Sequence, residues 1–305
     1  MIDFIGKRFK LIAFTAILLI VFIIVLATSG LKMGIDFSSG SLLTISFDNE
    51  VAIEDLRHEL SNLDYDNAVV QVTGDGDFLI RTFALEADEK ASLEAALEER
   101  FGNLEELAFE NVDPIIAQQT AKYAAIAVFA AAMGIMLYIS WAFRKMPNPF
   151  RYGACAIIAL AHDIIVVMGV YAILSIFVNL EVNLMFITGI LAVLGYSVND
   201  TVVVFDRIRE NRLKSPSADF AITVNKSLVD TLTRSLNTGI TTIVVIIALI
   251  VFIGSTILNF AIVMLIGVIA GTFSSIFVAS PLLVIWEKNE WRRFIPWLKT
   301  KEVKA

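Results

Sequence analysis

A single cysteine, Cys155, and two histidines, His58 and His162, are the only soft metal ligands in 305 residues apart from methionine. One cysteine excludes an intrachain disulfide, and so few scattered ligands argue against a structural zinc site. Charge is scarce as well, at 18% of residues, where a soluble domain carries about 25%. The basic side is in deficit, 24 Lys and Arg against 31 Asp and Glu, for a formal charge of −7. A nucleic-acid binder would be basic, so that class is set aside. No nucleophile paired with a base, no phosphate-binding loop and no metal cluster can be found. The reading is of a non-enzyme that carries no cofactor and hydrolyses no nucleotide.

What the chain has instead is apolar length. Hydrophobic residues make up 57% of it, with a mean hydropathy of +0.75. Six stretches are long enough to cross a bilayer, which needs about 20 residues: roughly 11–28, 123–143, 152–177, 183–205, 237–253 and 258–285. The first follows Lys7, Arg8 and Lys10 and ends near Ala27-Thr28-Ser29, like a secretory signal. It is longer than the 7–15 apolar residues typical of a signal's core, however, and reads as a retained anchor.

Orientation follows from the basic residues of the connections. These cluster at the N-terminus, in residues 144–151, in residues 206–234 and after residue 285, and are missing from 178–181 and 254–256. Both termini are therefore expected in the cytoplasm, with residues 30–122 outside. Residues 30–123 hold 20 acidic and 6 basic side chains, a net −14. The expected organisation is an N-terminus and first span over 1–29, an external domain over 30–122, five spans over 123–285 and a tail over 286–305. In the tail Trp286, Trp291 and Trp297 mix with Arg292, Arg293 and Lys299, which suits the headgroup layer.

The external segment alternates strand and helix signals. Residues 41–47, 68–73, 78–83 and 104–112 read as strands, while 51–63 and 87–101 carry apolar residues at helical spacing. Gly74-Asp75-Gly76-Asp77 marks a hairpin. Its aspartates read as a solvated turn, because the ligand spacing of a calcium loop is missing. His58 lies on a polar helix face. The order β-α-β-β-α-β is the ferredoxin-like pattern, and the domain reads as a protein-contacting module.

Ionisable residues inside apolar spans cost about 2.5–3.5 kcal/mol each and are functional candidates by default. His162 and Asp163 lie within the third span, Asp200 within the fourth, and Arg234 at the entrance of the fifth. Tyr196 and Ser197 share the helical face of Asp200, flanked by Asn199 and Thr201; Arg234 shares a face with Thr238 and Thr241 or Thr242. Burial disfavours the carboxylate and an approaching guanidinium favours it. Asp200 with a movable Arg234 therefore reads as a proton relay, with Asp163, Asn199, Thr201 and Thr238 in support. The plainer alternative is a static ion pair joining two helices. Gly189, Gly195, Gly267 and Gly271 permit close helix approach.

Residues 195–211, GYSVNDTVVVFDRIREN, closely resemble the signature of the SecF family of protein-export membrane subunits. Four further stretches resemble family motifs: DFIGKR at 3–8, GIDFSSGS at 34–41, ALAHD at 159–163 and TLTRSLNTGITT at 231–242. The resemblance implies an RND-like fold: a multi-pass α-helical membrane protein of six transmembrane helices with a small external α+β domain. It implies a place in the cytoplasmic (inner) membrane and, as partners, a SecD-like subunit, a SecYEG-type translocon, translocating polypeptide and protons. The carboxylate and arginine of the family's relay match Asp200 and Arg234. The alternative reading is a subunit of an RND-type exporter of small molecules or lipids; a third is a scaffold that transports nothing. Two departures stand out. Ser39 replaces a motif glycine, so its loop is expected to tolerate positive φ less well. VDPIIAQQT at 112–120 keeps only Val112 and Pro114 of the family's VGPxVGxEL, which puts the coupling between external domain and membrane in question.

Overall fold

The computed structural model describes residues 2–73, 76–178, 180–252 and 257–293. Gly74, Asp75, residues 254–256, Trp297, Lys299 and the side chains of Arg292 and Arg293, named above, lie outside these. Two compact units result, one of Met1–Lys32 with Ile126–Ala305 and one of Met33–Ala125.

Among the described residues, six helices are long and apolar enough to cross a membrane. The first comprises a short 3-10 turn and α1 (Arg8–Ser29); the next four are α5 (Pro114–Ala142), α6 (Pro149–Val178), α7 (Leu184–Lys214) and α8 (Phe220–Phe252). The sixth runs Leu258–Glu287 as α9 (Leu258–Ser274), a π turn (Ser275–Ala279) and α10 (Ser280–Glu287). Several outrun the apolar stretches because the chain meets no stop signal where hydrophobicity ends. α7 continues to Lys214 and stops before Ser215-Pro216, since the residue before proline is disfavoured in the helical region. α8 starts at Phe220 because the Asp219 carboxylate accepts from the amides of Ala221 (2.8 Å) and Ile222 (3.3 Å). Arg234 consequently lies well inside a long helix.

The sheet unit contains the short helix α2 (Ile35–Ser38), β1 (Gly40–Phe47), α3 (Ile53–Asn62), β2 (Val69–Val72), β3 (Phe78–Thr82), α4 (Ala87–Phe101) and β4 (Leu104–Val112). The strands pair antiparallel in the order β2-β3-β1-β4, the ferredoxin-like arrangement. Strand alternation sends Leu43, Ile45, Val70 and Ile80 to one face, against Leu56 and Leu60 of α3 and Leu93 and Leu97 of α4. Lys90 bridges Glu106 (2.5 Å) and Glu94 (3.4 Å). Its hydrogen bond holds the Glu106 carboxyl below the usual range, while burial pushes Glu94 up. His58 is exposed, as expected.

The glycine motif keeps one glycine where nothing else fits. Gly40 has φ +122°, and a Cβ there would lie 2.4 Å from the carbonyl oxygen of Thr82. Ser39 adopts φ 62°, ψ 169° in spite of its side chain, a region essentially reserved for glycine that costs on the order of 1–3 kcal/mol. Ser39→Gly should accordingly stabilise the chain by about 1 kcal/mol. Thermal unfolding in detergent checks this, and an unchanged or lower midpoint contradicts it. In the other departing segment Pro114 is the first residue of α5, and Asp113 Oδ1 accepts from the Ile115 amide at 2.7 Å.

In the helical unit α7 and α9 pack through glycine. A Cβ on Gly267 would fall 2.0 Å from Val193 Cγ2, one on Gly189 would fall 2.7 Å from Val263 Cγ1, and one on Gly271 would fall 2.9 Å from Ser197 Cβ. Gly195 meets nothing within 4 Å, so close approach uses three of the four glycines singled out. Phe143, Tyr152 and Phe205 interlock at centroid distances of 5.1–6.1 Å. Around residues 2–8 the ends are tied by side chains. Asn225 Oδ1 accepts from the amides of Phe4 and Ile5, Arg8 pairs with Glu290 through both Nε (2.8 Å) and a terminal nitrogen (2.6 Å), and Lys288 pairs with Asp219. That last bond holds the Asp219 carboxyl below its ordinary range. Trp286 and Trp291 meet edge to face at 5.9 Å.

Candidate functional site

Two carboxylates lie buried where α6, α7, α8 and α9 meet. Asp200 retains 9% of its exposure and Asp163 none. Ser235 Oγ of α8 donates to Asp200 Oδ1 at 2.5 Å, and Ser275 Oγ, at the start of the π turn, donates to Oδ2. Asp163 Oδ2 accepts from Ser197 Oγ of α7 at 2.6 Å and from Ser274 Oγ of α9 at 2.9 Å. His162 Nδ1 lies 3.0 Å from Asp163 Oδ1. Small side chains make this meeting possible: Gly271 brings α9 onto Ser197, one turn before Asp200.

The energies are balanced. A charge at the bilayer centre costs about 2.5–3.5 kcal/mol on insertion scales. Each hydrogen bond to a charged group returns about 1.5–3 kcal/mol. Two hydroxyl donors therefore offset much of that cost at each carboxylate.

The structure does not pair Arg234 with Asp200. Arg234 is exposed on α8, and among the described residues it makes no ion pair. A helix turns about 100° per residue, so with Ser235 facing inward its neighbour faces out. Asn237, Thr238 and Thr241 are exposed beside it. Of the expected supporting residues, Asp163 joins the cluster and Thr201 is buried. Asn199 and Thr238 are exposed and are not among the donors to Asp200, because their helical positions turn away from the four-helix junction. The hydroxyls of Ser235, Ser274 and Ser275 escaped the sequence reading. The signal for two of them was an adjacent serine pair inside the apolar run GTFSSIF. Among the described residues no three His, Cys, Asp or Glu side chains group closely enough to hold a metal ion.

Comparison with known proteins identifies the family of the chain. The family profile described as protein export membrane protein SecD/SecF, C-terminal, matches residues 92–289, and the SecD/SecF GG motif matches residues 24–51. The protein translocase subunit SecF of Thermobaculum terrenum is 42% identical over 305 residues, covering 96% of each chain. The chain belongs to the SecD/SecF protein-export family, on its SecF side. SecDF of Bacillus subtilis is 31% identical over 95% of this chain and 39% of its own length. A crystal structure of SecDF from Thermus, described as a translocon-associated membrane protein, aligns with a TM-score of 0.82 at 33% identity, over 94% of this chain and 39% of that one. The SecD/SecF C-terminal match contains all four helices that supply the carboxylates and their serine donors. This SecF-type chain is thus a multi-pass helical membrane protein with a transport role.

Proposed function

We propose that the chain acts with a SecD-like partner as the SecF part of a proton-driven accessory to a SecYEG-type translocon, promoting late translocation of polypeptide. It works from the cytoplasmic membrane with both termini in the cytoplasm and residues 30–122 outside. The observation that carries this reading is Asp200: a buried carboxylate in an apolar span, held by two hydroxyls and, among the described residues, paired with no cation. Its Ser235 donor is the chain neighbour of Arg234 on α8. A rotation or slide of α8 that withdraws Ser235 brings the guanidinium toward Asp200, which favours the anion and expels the proton. Return of Ser235 restores a cation-free site that takes a proton up. One charge crossing 100 mV supplies about 2.3 kcal/mol per cycle.

The partner follows from α8 as well. Arg234, Asn237, Thr238 and Thr241 form a polar face at membrane depth, and such a face is costly against lipid. The SecD/SecF relationship supports a partner of similar build as its cover. The test is export of a reporter preprotein into sealed vesicles containing the chain, its partner and the translocon. Late-stage export should rise when a proton gradient is imposed and fall back when an ionophore collapses it. Equal export with and without the gradient would sink the proposal.

A further inference from the structure

The proton-carrying role of Asp200 leaves a second buried titratable cluster unused. His162 is 3% exposed, stacks on Phe273 at 6.2 Å and 18°, and touches Asp163 through Nδ1. Its other ring nitrogen, Nε2, is buried and has no partner among the described residues. Asp163 Oδ2 receives two hydroxyls, whereas among the described residues Oδ1 is bonded to the imidazole alone. A buried charge needs compensation, and among the described residues His162 is the one partner of Asp163 that can become positive. Among the described residues no other titratable side chain is hydrogen-bonded to the dyad, and α7, packed against it, carries Tyr196 and Asp200. Phe14 and Leu18 of α1 and Ile266, Ile269 and Phe273 of α9 line the apolar groove of about 330 Å³ beside His162, and α7 contributes Ser197. Asp200 is the next ionisable residue along the network.

We propose that His162 and Asp163 form a second proton-holding site, coupled to Asp200 through the hydroxyls of Ser274 and Ser275. The proposal rests on the proton-coupled reading of Asp200 given above. The dyad gains or loses one proton, shared between Asp163 and His162, with no other bond made or broken; its net charge alternates between zero and minus one.

Coupling follows from the two serines. Each has one hydroxyl proton and two acceptors within reach. Ser274 Oγ lies 2.9 Å from Asp163 Oδ2 and 3.3 Å from the Gly271 carbonyl. Ser275 Oγ is bonded to Asp200 Oδ2 and lies 3.1 Å from the Thr272 carbonyl. An ionised carboxylate takes the hydroxyl. A protonated one donates its own O–H to the serine oxygen, and the hydroxyl turns to the helix carbonyl. Both states therefore leave no orphaned polar atom on the serine side. The serines are chain neighbours, with Cα atoms about 3.8 Å apart, so the hydroxyls that serve the two carboxylates sit on adjacent residues, and in this proposal charge on one carboxylate disfavours charge on the other. The helix opens into a π turn at this point, with Ser280 Oγ donating to the Ser275 carbonyl at 2.9 Å. π turns frequently mark functional positions.

The test is an infrared pH titration of the C=O stretch of protonated carboxyl groups, on the full complex with its partner in liposomes. Wild type should show two buried carboxyl titrations; Asp200→Asn and Asp163→Asn should each remove one and displace the other. His162→Gln, which removes no carboxylate, should displace the Asp163 midpoint by about one pH unit and shift the pH profile of gradient-stimulated export. Ser275→Ala should displace both midpoints, and Ser275→Thr, which keeps the hydroxyl, should restore them. If His162→Gln leaves the Asp163 band and the pH profile unmoved, or if Asp163 shows no titration where Asp200 does, the dyad is a static helix contact and the proposal fails. Failure of the proton reading itself looks different: the Asp200 band does not titrate, and the wild type gains nothing from a gradient.

Discussion

Asp200→Asn should abolish the gradient's contribution to export, bringing the ratio of export with gradient to export without it down to unity, while the protein remains in the membrane at wild-type levels. The second half of that expectation comes from the donors. An asparagine keeps the shape of aspartate, and its carbonyl oxygen still accepts from Ser235. Its amide group donates where the carboxylate accepted, which would clash with the Ser275 hydroxyl unless that hydroxyl turned away. Thr272 offers a carbonyl 3.1 Å from Ser275 Oγ, so the turn is available. What the variant lacks is the ability to exchange a proton. Vesicle export under an imposed gradient, with membrane levels measured in parallel, reads both halves. A variant that responds to the gradient like wild type would make Asp200 a packing residue and end the relay mechanism.

Gly267→Leu should have a comparable effect through a different cause. A Cβ alone would stand 2.0 Å from Val193 Cγ2, far inside contact distance, and Val193 is fully buried. Overpacking of a filled interior costs about 1–3 kcal/mol and occasionally more, and a leucine adds three carbons beyond the first clash. Helices α7 and α9 must part, which draws Ser274 and Ser275 away from Asp163 and Asp200. The expected result is lower thermal stability of the purified protein and a loss of gradient-stimulated export greater than the loss of membrane level. Gly195→Leu is the control, since that position meets nothing within 4 Å. Equal tolerance of both leucines would contradict the packing described.

The sheet unit was readable almost residue by residue, because period-two and helical spacing both report directly on a buried face. Leu43 and Ile45, or Leu93 and Leu97, announce the side they bury. The spans were readable as lengths but not as faces. Inside a bilayer nearly every residue is apolar, so amphipathic periodicity vanishes, and with it the information about which way Arg234, Asn199 and Thr238 turn. Asp163 and Asp200 stood out because charge is expensive there. Ser235, Ser274 and Ser275 did not, since serine is ordinary in membrane helices and often bonds its own backbone, as Thr241 and Thr242 do. Only the crossing of four helices separates a serine that serves its own turn from one that serves a neighbour's carboxylate. The Ser39 substitution shows the converse: the sequence marked the position, and the backbone adopted the glycine-like conformation regardless.

The outward polar stripe of α8 bears on how the cell must make this protein. On the proposed arrangement, a chain released into the bilayer by itself would leave an arginine and three polar side chains on a face that its own helices do not cover. Such an orphan would be held poorly, and would invite capture by wrong helices or removal by membrane proteases. Synthesis of the two halves in matched amounts and close succession avoids that exposure, and joining them in one polypeptide would guarantee it. The helix face thus connects a few side chains to the economy of subunit dosage.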